Sequence, residues 1–273
     1  MTRADSPPLD LDPRTAAFYS DVIAAFSEAG IDFLIGGAYA FEVYTDIGNR
    51  TKDLDIFLRP RDFEAVRRAA RRRRYVTEKT APHWLGKVRS DRDFVDIIYS
   101  SGNGLCPVDD TWFANAPPAE VLGHQVRLVP LEEMIWQKAF IMERERYDGA
   151  DVAHLLRAHG RTLDWERLLA RFGAHWPVLL AHLVLYDYIY PSERDRVPGW
   201  VLRELVDRRA PELRATEEEH VCLGTLLSRQ QYLPDVEQLA FVDGRLPPTG
   251  TLDAETIESE NRRLREELTS GRR

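Results

Sequence analysis

The chain is poor in the residues that staple or anchor proteins. Its 273 residues include two cysteines, Cys106 and Cys222, far apart and without metal-ligand spacing. That argues against a disulfide framework or a cysteine zinc site and suits buried thiols in a reducing compartment. Long apolar runs are missing too. The longest, Val178 to Tyr186, is interrupted by His182, whereas about 20 apolar residues are needed to cross a bilayer. Met1 to Pro8 carries no apolar segment of the kind a secretory signal needs. A cytoplasmic protein with no membrane partner is expected. Net positive charge is also lacking: 37 Lys and Arg against 45 Asp and Glu leave a formal charge of -8. Such a balance argues against a dedicated duplex-DNA binder, though it says nothing about local basic patches. No internal repeat is found. What remains, 44% hydrophobic and 30% charged residues, is the composition of a globular chain long enough for one large domain or two modest ones.

The informative stretch runs from Phe33-Leu-Ile-Gly-Gly-Ala-Tyr-Ala40 to Asn49-Arg-Thr-Lys-Asp-Leu-Asp-Ile-Phe-Leu58. An apolar run ends in a Gly pair, a short helix follows, and a second apolar run carries Asp53 and Asp55. Residues two apart on a strand share a face, so both carboxylates point the same way and repel. Asp is also depleted from strands. A divalent cation answers both objections, because hard carboxylate oxygens are what Mg²⁺ prefers. A helix entered through glycine lets backbone N–H groups approach a phosphate at the positive end of the helix dipole. Taken singly, Gly-Gly is usually a turn and Asp-x-Asp a strand end; the order on successive apolar runs is what gives the pattern meaning.

Gly36-Gly37 followed by Asp53-Leu54-Asp55 resembles the signature of the nucleotidyltransferase superfamily that includes DNA polymerase β. There a third acidic residue lies on a later strand. In Phe94-Val-Asp-Ile-Ile-Tyr99 the only charged residue is Asp96. The run from Ala38 to Lys52 is longer than the superfamily's usual spacing, which a looser loop around Thr45 to Arg50 accommodates. The resemblance implies transfer of a nucleoside monophosphate from an NTP to an acceptor hydroxyl, with release of pyrophosphate. By it, Asp53, Asp55 and Asp96 are the catalytic residues and the ligands of two Mg²⁺ ions, with Mn²⁺ as a substitute, and Asp96 also takes the hydroxyl proton. Gly36, Gly37, Arg50, Thr51 and Lys138 bind the nucleotide.

Apolar periodicity places a helix from Pro13 to Ala29, a strand at Ile31 to Ile35, a helix at Gly36 to Thr45 and a strand at Leu54 to Leu58. A helix at Asp62 to Arg74 follows. Its six arginines read either as a ledge for RNA phosphates or, more plainly, as a solvated surface wrapping the helix. Strands are expected at Tyr75 to Glu78, Trp84 to Val88, Phe94 to Tyr99 and Gln125 to Val129, with Ser90 to Asp93 as a hairpin turn. From Leu131 the pattern is helical. The predicted class is α+β: a loose segment at 1–12, a mixed-sheet nucleotidyltransferase-like domain at 13–130, a helical domain at 131–245 and a polar tail at 246–273, either disordered or at most a solvated helix over Ala254 to Leu268.

In the helical part, Lys138 lies among Ile135, Trp136, Ala139 and Phe140, where a cation needs a phosphate or carboxylate partner. With Arg146, Asp148 and Asp151 it resembles a pattern in AbiE-toxin-like bacterial nucleotidyltransferases, and these three are expected to support the nucleotide site. Asp148 could equally cap the following helix. His175 and His182 are expected to face a groove or a core partner. The acceptor stays open between RNA such as tRNA, as for a toxin-antitoxin-like enzyme, and a small hydroxylated molecule. Net acidity leans toward the latter. A non-catalytic nucleotide-binding or regulatory module on the same fold is the alternative, and the oligomeric state is not legible.

Overall fold

A computed structural model describes residues 11–48, 53–212 and 220–270. The chain divides into two units, 1–102 with 107–134, and 103–106 with 135–273. The division therefore falls between Met134 and Ile135, with a short excursion at 103–106.

In the first unit α1 (Pro13–Glu28) precedes β1 (Leu34–Ile35), α2 (Gly37–Thr45) and β2 (Leu54–Phe57). α3 (Phe63–Arg72) leads to β3 (Val76–Ala81), β4 (Leu85–Arg89) and β5 (Phe94–Ile98). α4 (Asp110–Ala114) and a hairpin of β6 (Pro118–Val121) and β7 (His124–Arg127) close the unit. Asp12 caps α1 by accepting from the Arg14 N–H, with Pro13 in the first turn, where its missing donor costs nothing. The five-stranded sheet has the order β1-β2-β5-β4-β3. β2 and β5 are parallel and the other neighbours antiparallel, which makes the sheet mixed, as expected. The β4–β5 turn is the Ser90 to Asp93 segment, closed by Ser90 N–H to the Asp93 carbonyl at 2.9 Å. α4 and β6 were not expected from the sequence.

The sheet has two unlike faces. Leu54, Ile56, Val88, Val95 and Ile97 are fully buried on one of them. α3 covers that side, and the ring of Phe63 lies so close to Gly86 that a Cβ there would fall 2.4 Å from it. The other face carries the half-buried alternates Asp55, Lys87 and Asp96. Period-two alternation thus puts the charged residues together on the open side. On α3 the stripe Phe63, Val66, Ala69 and Ala70 is buried while Arg67, Arg68, Arg71 and Arg72 are exposed. The arginines therefore occupy one side of the helix, and do not wrap it; Arg73 and Arg74 lie beyond its end.

The second unit holds the last part of α5 (Leu131–Ala139), then α6 (Gly149–His159), α7 (Trp165–Phe172), α8 (Trp176–Ile189) and α9 (Gly199–Glu212). β8 (Val221–Cys222), α10 (Arg229–Gln238), β9 (Val242–Asp243) and α11 (Ala254–Ser270) follow. Leu155, Leu168, Leu179, Leu183, Tyr186, Val201 and Leu205 are buried where α6, α7, α8 and α9 pack. His182 meets the Ala139 carbonyl at 2.9 Å and His175 the Thr249 carbonyl at 3.1 Å, so both have backbone partners. The stretch Trp165–Ile189, 25 residues, is apolar and long enough to cross a membrane by length and composition, which the interrupted run Val178 to Tyr186 did not suggest. Here it is broken at Gly173, with φ 49° and ψ -122°, between α7 and α8.

The C-terminal stretch is expected from its composition to hold at most a solvated helix over Ala254 to Leu268. It contains α11, on which Ile257, Glu260 and Asn261 are buried. The partner of Glu260 and Asn261 is Arg245, which is fully buried. It donates to Asp243 Oδ2 at 2.7 Å and to Asn261 Oδ1 at 2.9 Å. Thr225 adds a bond to Asp243 at 2.8 Å, and Arg229 reaches Glu260 at 3.0 Å. A helix that looks solvated by composition is held by a buried ionic network.

Candidate active site

The Gly pair fixes where α2 starts. Gly36 N–H donates to the Asp55 carbonyl at 3.0 Å, and the Gly36 carbonyl accepts from Ala40 N–H at 3.2 Å. Gly37 has φ +55°, and a Cβ on it would lie 1.7 Å from Asp55 Oδ2. Glycine is required there twice, by backbone conformation and by the carboxylate it touches. The positive end of a nine-residue helix therefore abuts Asp55.

Asp55 stands directly beside Asp96 in the parallel β2–β5 register, and Asp96 directly opposite Lys87 in the antiparallel β5–β4 register. Paired residues share a face, so Asp55, Asp96 and Lys87 form one row across three strands. Lys87 Nζ is 2.5 Å from Asp96 Oδ1, with side-chain exposures of 14% and 18%. The same ammonium lies 3.8 Å from the centre of the Phe94 ring. Burial pushes the Asp96 carboxyl up, Lys87 pulls it back, and Asp53 pushes it up again, so that it ends above the usual range. That influence puts Asp53 within electrostatic reach of Asp96; its own position, just before β2, is exposed.

Two tyrosines lie close behind. Tyr19, on α1, is 1% exposed, and burial followed by the charges of Asp53 and Asp93 pushes its phenol well up. Tyr39, on α2, is raised by burial and then by Tyr19, Glu42 and Asp55. Its hydroxyl has no hydrogen-bond partner among the described residues.

The superfamily resemblance implies magnesium, and the donor set suits it in part. Asp53 and Asp55 offer hard oxygens on one segment beside the α2 N-terminus. Asp96 differs, because one of its oxygens is already engaged by Lys87. Among the described residues no group of three or more His, Cys, Asp or Glu side chains is arranged to hold a metal ion. Asp96 thus stands in register beside Asp55 with one oxygen in an ion pair and the other not taken by Lys87.

The remaining expected residues form a second cluster, in the other unit. Lys138 Nζ binds Asp148 Oδ2 at 2.9 Å and Asp151 Oδ2 at 2.6 Å, and Arg146 grips Asp148 through two bonds of 2.9 Å. Asp148 occupies the N-cap position of α6 without a side-chain capping bond, because its carboxylate is turned to the two cations. Burial pushes Asp148 up, and Arg146 and Lys138 outweigh it, so its carboxyl ends below the usual range. Arg50 and Thr51 lie outside the described residues.

Lys87, Tyr19 and Tyr39 were not singled out as site residues from the sequence. For Lys87 a signal was available. Counting outward from the Ser90–Asp93 turn pairs Arg89 with Phe94 and Lys87 with Asp96, so the register alone sets a cation against the third aspartate. For the tyrosines, burial at helical spacing looks the same whether a ring serves only the core or also backs a site.

The chain belongs to a nucleotidyltransferase family, described as uncharacterised nucleotidyltransferase, which it matches over residues 14–185. A search of curated proteins finds no match. Among solved structures, the antibiotic-resistance factor ANT(2'')-Ia in solution shares 14% identity over 63% of this chain and 97% of its own, with a TM-score of 0.45. The lincosamide antibiotic adenylyltransferase LnuA with lincomycin bound shares 13% identity over 53% and 96%, at a TM-score of 0.37. JHP933 from Helicobacter pylori shares 11% identity over 75% and 98%, at 0.35.

Proposed function

We propose that the first unit binds an NTP and transfers its nucleoside monophosphate to an acceptor hydroxyl, releasing pyrophosphate. The observation that carries this is the contact of Gly37, at the start of α2, with Asp55, which itself lies in register beside Asp96. The α2 N-terminus seats phosphate oxygens on backbone N–H groups. Asp53 and Asp55 would hold Mg²⁺, which supplies charge neutralisation for the triphosphate. Asp96, half-buried and with a raised proton affinity, accepts the acceptor's proton.

For the acceptor, a small hydroxylated molecule is our first reading, supported by the net charge of -8 and by the acidic row on the open sheet face. RNA is the second, and one observation favours it: Arg67, Arg68, Arg71 and Arg72 are exposed along one side of α3 in the same unit. An AbiE-like toxin role would fall under that reading. Free Cys106 and Cys222 support a reducing, cytoplasmic setting.

The test is incubation with each labelled NTP and Mg²⁺, in parallel with total tRNA and with a panel of hydroxylated small molecules that includes tobramycin and lincomycin. Label transfer by the wild type, lost in Asp53→Asn and Asp55→Asn, is the expected outcome. Transfer that survives both substitutions refutes the site. NTP binding without transfer to any acceptor, water included, favours a regulatory module.

A further inference from the structure

Lys87 is paired with Asp96 in the candidate site, and no superfamily pattern drawn from the sequence requires it. Its ammonium is braced on the Phe94 ring at 3.8 Å and bound to Asp96 Oδ1 at 2.5 Å. A half-buried ammonium and carboxylate in this geometry fix each other's rotamers, because releasing either leaves a charge without its partner in a partly desolvated place. Asp96 keeps Oδ2 as the oxygen that Lys87 does not take. Asp55 lies against Gly37 at the phosphate-binding helix start.

We propose that Lys87 is a positioning residue that reserves Asp96 as the proton acceptor for the incoming hydroxyl and keeps it from becoming a third metal ligand. The inference rests on the nucleotidyltransferase reading of this site. In the step concerned, the acceptor O–H bond breaks and its proton passes to Asp96 Oδ2 as the oxygen bonds to the α-phosphorus. The bond from the α-phosphorus to the bridging oxygen breaks, and its electron pair leaves with pyrophosphate. Lys87 itself touches neither reactant. It holds Oδ1 so that the other carboxylate oxygen is presented, and its positive charge opposes the approach of a dication to Asp96.

The experiment measures Mn²⁺ binding by electron paramagnetic resonance on the full chain, together with pyrophosphate release from whichever of the four NTPs binds tightest, with water as the acceptor. Wild type, Lys87→Met, Lys87→Arg and Asp96→Asn are compared, with Asp53→Asn and Asp55→Asn as references. Removing the ammonium frees Asp96 for the metal, so Lys87→Met should bind Mn²⁺ on the order of tenfold more tightly. Its kcat should fall at least about tenfold, with KM for the NTP unchanged. Lys87→Arg should bind Mn²⁺ like the wild type and recover part of kcat. Asp96→Asn should lose kcat while binding Mn²⁺ like the wild type. A purely structural Lys87 would not tighten metal binding, so an unchanged Mn²⁺ affinity and kcat in Lys87→Met overturn the inference, as does weakened Mn²⁺ binding in Asp96→Asn. Should Lys87→Met not fold, the Lys87→Arg and Asp96→Asn measurements decide alone. If the wild type binds neither Mn²⁺ nor NTP, or binds Mn²⁺ independently of Asp53 and Asp55, the site reading itself fails and the role of Lys87 falls with it. Loss of binding in those two references alongside a wild-type-like Lys87→Met confines the failure to Lys87.

Discussion

Replacing Gly37 with alanine probes the contact between the helix start and the acidic strand. Gly37 has φ +55°, and the new Cβ would be placed 1.7 Å from Asp55 Oδ2 and 2.7 Å from its Cγ. The left-handed backbone costs an L-residue about 1–2 kcal/mol. The carboxylate must also swing away, at about 0.5–1.5 kcal/mol if it leaves its rotamer. Together Gly37→Ala should destabilise by roughly 2–3 kcal/mol, a sizeable part of a domain's stability of about 5–15 kcal/mol. Only the steric share depends on Asp55.

A double-mutant cycle in urea separates the two. Asp55→Ala removes the two shortest contacts and leaves only the Asp55 Cβ at 3.0 Å, so Gly37→Ala in that background should cost about 1 kcal/mol less than in the wild type. Gly36→Ala is the control. Its Cβ would meet the Phe57 ring at 2.2 Å, and Gly36 is not in the left-handed region. Its cost should not change when Asp55 is shortened. Strict additivity of Gly37→Ala with Asp55→Ala, or a Gly37→Ala protein as stable as the wild type, refutes the packing of α2 on Asp55 and with it the geometry of the site.

In the second unit, Arg245→Met should cost about 3–5 kcal/mol in urea unfolding, because it leaves Asp243 buried without its cation; a loss under about 1 kcal/mol would show that the network does not hold α11. Lys138→Met should cost on the order of 1–3 kcal/mol, with Arg146 still partnering Asp148. The folded-state pKa of Asp148 is depressed, as is that of Asp243 despite the upward push of burial. Their contribution is therefore full above the unfolded value of about 3.9 and is lost as pH falls through the lower folded values. Stability measured from neutral pH into acid should drop below about pH 4 in the wild type and drop less in Lys138→Met. Equal acid slopes in the two proteins would contradict the pairing.

Much of the first unit could be read from the chain because its signals are local. Apolar alternation marked β2, β4 and β5 within a residue or two, and the Ser90–Asp93 turn fixed their hairpin. β1 is shorter than the apolar run Ile31 to Ile35, because only Leu34 and Ile35 pair with β2. α4 and β6 were missed: the stretch around Pro117 and Pro118 looks like loop punctuation, yet Asp109 caps α4 and Pro118 opens an edge strand. On α3, counting arginines without placing the helix end made the charge look continuous around it. The tail failed for another reason. Periodicity treats Glu, Asn and Arg as solvent-facing, and a buried network such as Arg245 with Asp243, Glu260 and Asn261 is invisible to any rule of that kind.

The site divides along the same line between local and non-local information. Asp53 and Asp55 are two residues apart, and their proximity is set by the chain itself, although only Asp55 lies within β2. Asp96 lies 41 residues after Asp55 and meets it through a parallel pairing that no local pattern specifies. Lys87 is intermediate, since a hairpin turn sets its register against Asp96. Lys87, though overlooked, was thus nearly as local as the residues that sequence reasoning found. It was overlooked because a lysine on a strand face is taken for solvent contact unless its cross-strand partner is counted out. Where a motif supplies an acidic residue on a hairpin strand, the residue opposite it belongs to the reading of the site, because that neighbour sets which carboxylate oxygen remains free.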